Sequence, residues 1–188
     1  DGLLTEHQFG FLQIRPLAAG FDAPSISEEI LQDPDALVAT SVALGNGRIS
    51  GIRDILYVPP ELFDRSKTQE IADEIDQLNY EFVREATPYL LMGPGRWGSS
   101  DRWLGIPVRW DQISGARVIV ETDLEDFKVT PSQGSHFFQN LTSFQVGYLT
   151  VNSTTGSSTL DWDWFAKQKV THQGQFARRI HLDEPMCV

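Results

Sequence analysis

Only one cysteine, Cys187, occurs in the 188 residues. No intramolecular disulfide can form, and a reducing, cytoplasmic setting is the expectation. Nothing around Cys187 resembles the context of a catalytic thiol. The chain lacks an apolar run long enough to span a bilayer, and its opening residues do not read as a signal peptide. In a cytoplasmic chain the two glycosylation-type triplets, Asn140-Leu141-Thr142 and Asn152-Ser153-Thr154, carry no weight.

Positive charge is also scarce. Fifteen Lys and Arg stand against 26 Asp and Glu, for a net charge of −11. That balance argues against a general nucleic-acid binder, whose affinity rests on neutralising phosphates. It argues equally against an anionic membrane surface. Internal repeats and long low-complexity segments are missing. Histidines number four, and His7, His172 and His181 show no ligand-like spacing, so no metal site is implied.

What is present is ordinary globular material: 40% hydrophobic and 22% charged residues, enough chain to bury a core. The densest chemistry lies in Leu90–Trp110, LLMGPGRWGSSDRWLGIPVRW. It holds Gly93, Gly95, Gly98 and Gly105, two prolines, three tryptophans and three arginines. Glycine permits close backbone approach, and arginine offers a planar fork for carboxylate or phosphate. The stretch reads either as an anion cradle using Gly93, Gly95, Arg96, Gly98, Ser99 and Ser100, or as a tight turn pinned by buried tryptophans.

Around it the pattern predicts strands over Ala36–Leu44, Arg53–Val58, Thr87–Met92, Ala116–Glu121, Phe144–Val151 and Phe176–Leu182. Phe127–Val129 is a candidate hairpin partner. A helix is predicted over Ser66–Phe82, with Ile71, Ile75, Leu78 and Phe82 as one apolar stripe and Ser66 with Gln69 as a capping box. Its acids, Glu70, Asp73, Glu74, Asp76 and Glu81, read as a solvated face. Ser99–Asp101 is expected to cap a short helix through Trp103, and Leu160–Lys169 to form a short docked helix. PSQGSHFFQNL, residues 131–141, reads as a turn into an amphipathic helix. His136 lies in its first turn, as a packed or capping residue or beside an anion. The expected fold class is α+β: a mixed sheet of short strands with a few helices.

Phe9–Leu17, FGFLQIRPL, reads as a strand that ends with Gln13 and Arg15 on one side. They point together at an acceptor, or else sit on a half-exposed edge. This stretch resembles the last strand of the ATP-grasp domain of the phosphoenolpyruvate synthase and pyruvate phosphate dikinase family, which closes in L-Q-x-R. By that resemblance Gln13 and Arg15 lie at the nucleotide. The cofactors are ATP and Mg2+, with the magnesium ligands mostly outside this chain. The partners are ATP and a small phosphoryl acceptor, and homo-oligomerisation is left open. The implied division is residues 1–17 as the ATP-grasp ending, 18–35 as linker and 36–188 as a C-terminal α+β domain.

GNGRISGIRDILYV also resembles the start of the family's swivelling phosphohistidine domain, so a degenerate domain of that kind is implied. The family marks its acceptor with G-G-x-T-x-H-A ahead of G-I-P. Here Gly105-Ile106-Pro107 is kept, but no histidine precedes it in that loop. His136 follows it instead, and is the candidate acceptor in the wrong order. GPGRWGSSD together with PSQGSHFFQN resembles a bacterial phosphoenolpyruvate synthase-like subgroup with this kind of domain after the ATP-grasp ending. Two functions are therefore expected as alternatives. One is the C-terminal portion of an ATP-dependent phosphotransferase that contributes to nucleotide or phosphate binding. The other is a non-catalytic binding or dimerisation module.

Overall fold

The computed structural model describes residues 2–4, 9–11, 36–45, 47–99, 101, 103–123, 135–152 and 158–188. Gln13, Arg15, Ser100, the 18–35 linker and Phe127–Val129 lie outside them. Strands β1 (Gly2–Leu4) and β2 (Phe9–Phe11) pair antiparallel. Next come β3 (Val38–Thr40), β4 (Ala43–Leu44), β5 (Ser50–Tyr57) and helix α1 (Thr68–Arg84). They are followed by β6 (Tyr89–Pro94), β7 (Arg96–Trp97), β8 (Gly105–Ile106) and β9 (Ala116–Thr122). Helix α2 (Ser135–Ser143), β10 (Gly147–Val151), β11 (Ser158–Leu160), α3 (Trp162–Lys167), β12 (Val170–Gln173) and β13 (Arg178–Cys187) complete the chain.

The main sheet has seven strands in the order β12-β13-β5-β6-β9-β10-β4. It is a mixed sheet of short strands with few helices, as the α+β reading expected. Its centre is less ordinary: β5, β6, β9 and β10 are parallel neighbours in chain order. Antiparallel β13 and β4 flank this block. The parallel character was hidden because the β6-to-β9 crossover is built of β7, β8 and a 3-10 turn (Trp110–Ile113), with no long helix to signal it.

Side chains alternate across the central strands, so each strand feeds two cores. Leu56, Leu91, Ile119 and Tyr148 pack with Ile71, Ile75, Leu78 and Phe82 of α1 and with Leu141 of α2. Ile55, Tyr57, Leu90, Met92, Val118 and Val120 pack on the other face with Phe165 of α3, partly covered by Val38, Leu160 and Trp162. The stripe predicted for α1 is thus its buried face. Each such side chain contributes about 1.5–3 kcal/mol through area removed from water. Among the described residues no helix is long and apolar enough to cross a membrane.

Three local expectations are corrected. Ser66 and Gln69 do not form a capping box. Asp64 caps the preceding 3-10 turn, accepting from the Ser66 amide at 2.8 Å and its hydroxyl at 2.7 Å, while Gln69 donates to Asp73. Those two bonds hold the Asp64 carboxyl below its ordinary pKa. Ser99, Asp101 and Trp103 are not helical: Asp101 lies in a bend and Trp103 in a turn. The Ser99 hydroxyl bonds the Asp101 backbone, and the Asp101 carboxylate accepts from the Trp103 amide at 2.9 Å. Glu74 is not simply solvated: it accepts from the amides of Phe176 and Ala177, tying α1 to the start of β13.

Candidate functional site

Parallel strands that share a direction also share a carboxyl edge, the usual place for ligands in open α/β sheets. Here β6 delivers Gly93–Ser99 to that edge, and β9 delivers Glu121, Thr122 and Asp123, all buried. Gly95 and Gly98 have φ of +79° each, a conformation that glycine adopts without steric cost. Gly93 is flat against the buried Trp97 ring, where a Cβ would stand 2.8 Å from the indole. Trp97 is therefore the pin of this turn. Trp103 is exposed, and the half-buried Trp110 stacks on Phe144 at 5.4 Å.

The loop's amides are engaged by the protein itself. Gly95 donates to the Thr122 carbonyl, Arg96 to Leu104 and Gly98 to Ile106, at 2.9, 3.0 and 2.9 Å. The Trp97 amide donates to Glu121 Oε1 at 2.9 Å, and its indole N–H to the Val120 carbonyl at 3.2 Å. Glu121 Oε2 accepts from the Tyr148 hydroxyl at 2.5 Å. One carboxylate that this glycine-rich loop grips is thus the protein's own Glu121. No open row of N–H groups is left over Gly95–Gly98, and the Ser99 hydroxyl is itself bonded to the Asp101 backbone.

The two motifs singled out in the sequence meet here. Gly98 lies against the Phe137 ring, where a Cβ would fall 2.7 Å from Cδ2. Through Gly98 the loop therefore touches the first turn of α2, whose second residue is His136. Beside Glu121, in register on β10, is Thr150. The buried hydroxyls of Thr150 and Thr122 find no hydrogen-bond partner among the described residues. The grouping of at least three His, Cys, Asp or Glu that a metal would need is not found among the described residues either, so no side chain is assigned to Mg2+.

Two acids with no exposed surface, Glu121 and Asp54, were not singled out by the sequence pattern. Glu121 falls at the end of the predicted strand Ala116–Glu121, ARVIVE, with no separate role assigned. The signal was a carboxylate closing an otherwise apolar strand. Asp54, fully buried inside RDILYV, accepts from Arg179 Nε at 2.9 Å and contacts His181 Nδ1 at 3.1 Å. It sits at the opposite edge, where β5 first pairs with β6 through Asp54 and Tyr89. Comparison with protein-family models, with curated proteins and with solved structures finds no match.

Proposed function

We propose that this chain is the companion domain of an ATP-dependent phosphotransferase of the phosphoenolpyruvate synthase and pyruvate phosphate dikinase kind. It contributes nucleotide or phosphate contacts at the carboxyl edge of its parallel strands. The observation that supports this most is the contact of Gly98 with Phe137, which joins the glycine- and arginine-rich loop to the start of α2. A helix start and a guanidinium are both suited to a phosphate. In this reading Gly93, Gly95 and Gly98 shape the mount, Arg96 and Ser99 with Ser100 face the phosphate, and Gln13 with Arg15 face the nucleotide. ATP and Mg2+ are the expected ligands, and His136 is the candidate phosphoryl acceptor.

Titration of the whole protein with Mg-ATP tests the reading. Arg15→Ala and Arg96→Ala are each expected to weaken binding by on the order of tenfold or more, the weight of a lost charge-assisted hydrogen bond. Unchanged affinity in both variants would remove the nucleotide role. Trapping of phosphohistidine in the wild type and in His136→Ala tests the acceptor, and equal labelling excludes His136. The alternative, a non-catalytic binding or dimerisation module, draws support from the engaged amides of residues 95–98. It predicts no labelling at all.

A further inference from the structure

At the edge of the sheet away from the glycine-rich loop, the chain builds a second polar cluster. Asp54 is two residues before Leu56, so it shares the face of the sheet that α1 covers. Its carboxylate bridges Arg179 and His181. The Arg179 guanidinium also lies over the Phe82 ring, with Cζ 4.3 Å from the centroid. Phe82 in turn stacks on Tyr89 at 4.4 Å. Fixed at Nε and on one flat side, the guanidinium has its Nη atoms left for another partner. One of them, Nη2, is also paired at longer range with the exposed Glu85 carboxylate, at 3.9 Å, outside hydrogen-bond distance.

An open cavity of about 420 Å³ lies beside this cluster, lined by Glu81, Thr171, His172, Arg179 and His181. That is the size of a small-molecule site. Its chemistry is of two signs. Asp54 only accepts, so His181 donates through Nδ1–H, and in the neutral ring Nε2 is then the acceptor. Glu81 adds a carboxylate that no other described side chain engages. Arg179 adds the matching cation. The Thr171 hydroxyl donates to the Arg179 carbonyl at 3.1 Å and so steadies the wall.

We propose that this cavity binds a small zwitterion of the α-amino acid class. Arg179 takes the carboxylate as a planar fork. Glu81 and His181 Nε2 accept from the ammonium, and Asp54 positions both Arg179 and His181 without touching the ligand. A purely anionic ligand is disfavoured, because Glu81 faces the same space. A simple amine leaves the guanidinium unmatched. The site stands on groups separate from the nucleotide reading and survives its failure.

The test uses four probes of similar size on the full chain: alanine, lactate, propionate and isopropylamine. Binding is read by calorimetry and by the imidazole C–H signals of His172 and His181. Alanine is expected to bind at least about tenfold more tightly than the other three, the difference made by one unmatched charge. Glu81→Gln, an exposed change that leaves the fold intact, should lower alanine affinity about tenfold. Arg179→Lys, which keeps the charge over Phe82 and opposite Asp54, should weaken it by a similar factor through loss of the fork. Lactate or propionate binding as tightly as alanine would overturn the proposal. So would alanine affinity unchanged in Glu81→Gln, or no saturable binding of alanine at millimolar concentration.

Discussion

The two edges of the parallel block handle the same problem, a buried acid on the α1-covered face, in different ways. At the carboxyl edge Glu121 is satisfied by a backbone amide and a phenol. Both donors are neutral, and Trp97 and Tyr148 are wholly enclosed, so the arrangement holds the shape of the backbone. At the amino edge Asp54 is satisfied by a guanidinium and an imidazole. Those donors carry or can carry charge, and His181 is 48% exposed. A neutral donor set rigidifies a loop, whereas a charged one orients side chains whose far ends still meet solvent.

The comparison can be broken first at Glu121. Glu121→Ala leaves two buried donors without acceptors and is expected to cost about 4 kcal/mol, roughly twice the penalty for one such group. Urea unfolding measures it, and a loss under about 1 kcal/mol would mean the loop does not depend on this carboxylate. Asp54→Ala should cost less, about 2 kcal/mol, the penalty for one enclosed partner, because His181 already meets solvent and only Arg179 loses a shielded acceptor. If Asp54→Ala proved the more damaging of the two, the division between a shape-holding and a side-chain-orienting edge would be wrong.

A smaller effect tests the helix that joins the edges. Helix α1 ends with Ala86 at φ 51°, Thr87 donating to the Phe82 carbonyl and Ala86 to the Val83 carbonyl. This is a Schellman ending with a non-glycine residue in the left-handed position. Ala86→Gly should raise stability by about 1 kcal/mol, the cost of a Cβ there. Helix α2 ends the same way at Gln145, φ 53°. A loss of stability in Ala86→Gly would show that the unfolded chain's added freedom outweighs relief of the strain.

The smallest effect at neutral pH comes from Tyr89. Burial pushes its phenol above the ordinary tyrosine pKa, and the hydroxyl donates to Asn79 at 2.9 Å. Folding therefore favours the protonated form. Its contribution is complete below about pH 10, where the unfolded phenol also keeps its proton, and falls as pH rises further. Stability followed from pH 8 to 11 should decline at the top of that range, with a shallower decline in Tyr89→Phe. Equal slopes in the two proteins would assign the alkaline loss to other groups, among them Tyr57, whose phenol burial also raises.

Much of the fold could be read because it rests on local periodicity. The α1 stripe from Ile71 to Phe82, the run Ala116–Glu121 and the strand Phe176–Leu182 all reappear as elements with the expected buried residues. The helix ends could not be read in the same way, since Ala86 and Gln145 carry no C-terminal signal and Asp64 acts through an intervening 3-10 turn. At the site, the glycines at 93, 95 and 98 were legible as backbone devices. The hydrogen-bond partners of the loop were not, because Glu121 and Tyr148 reach it from 24 and 51 residues along the chain.

By itself the sequence determined which segments must be buried, their period, the acidic surface and the single unpaired thiol, since these follow from side-chain chemistry within a few residues. Only the tertiary structure decided that four strands run parallel, that Gly98 meets Phe137, and that Asp54 gathers Arg179 and His181 from the far end of the chain. The reason is physical. Strand direction and long-range polar pairing depend on how crossovers return to the sheet, and no local propensity encodes that return.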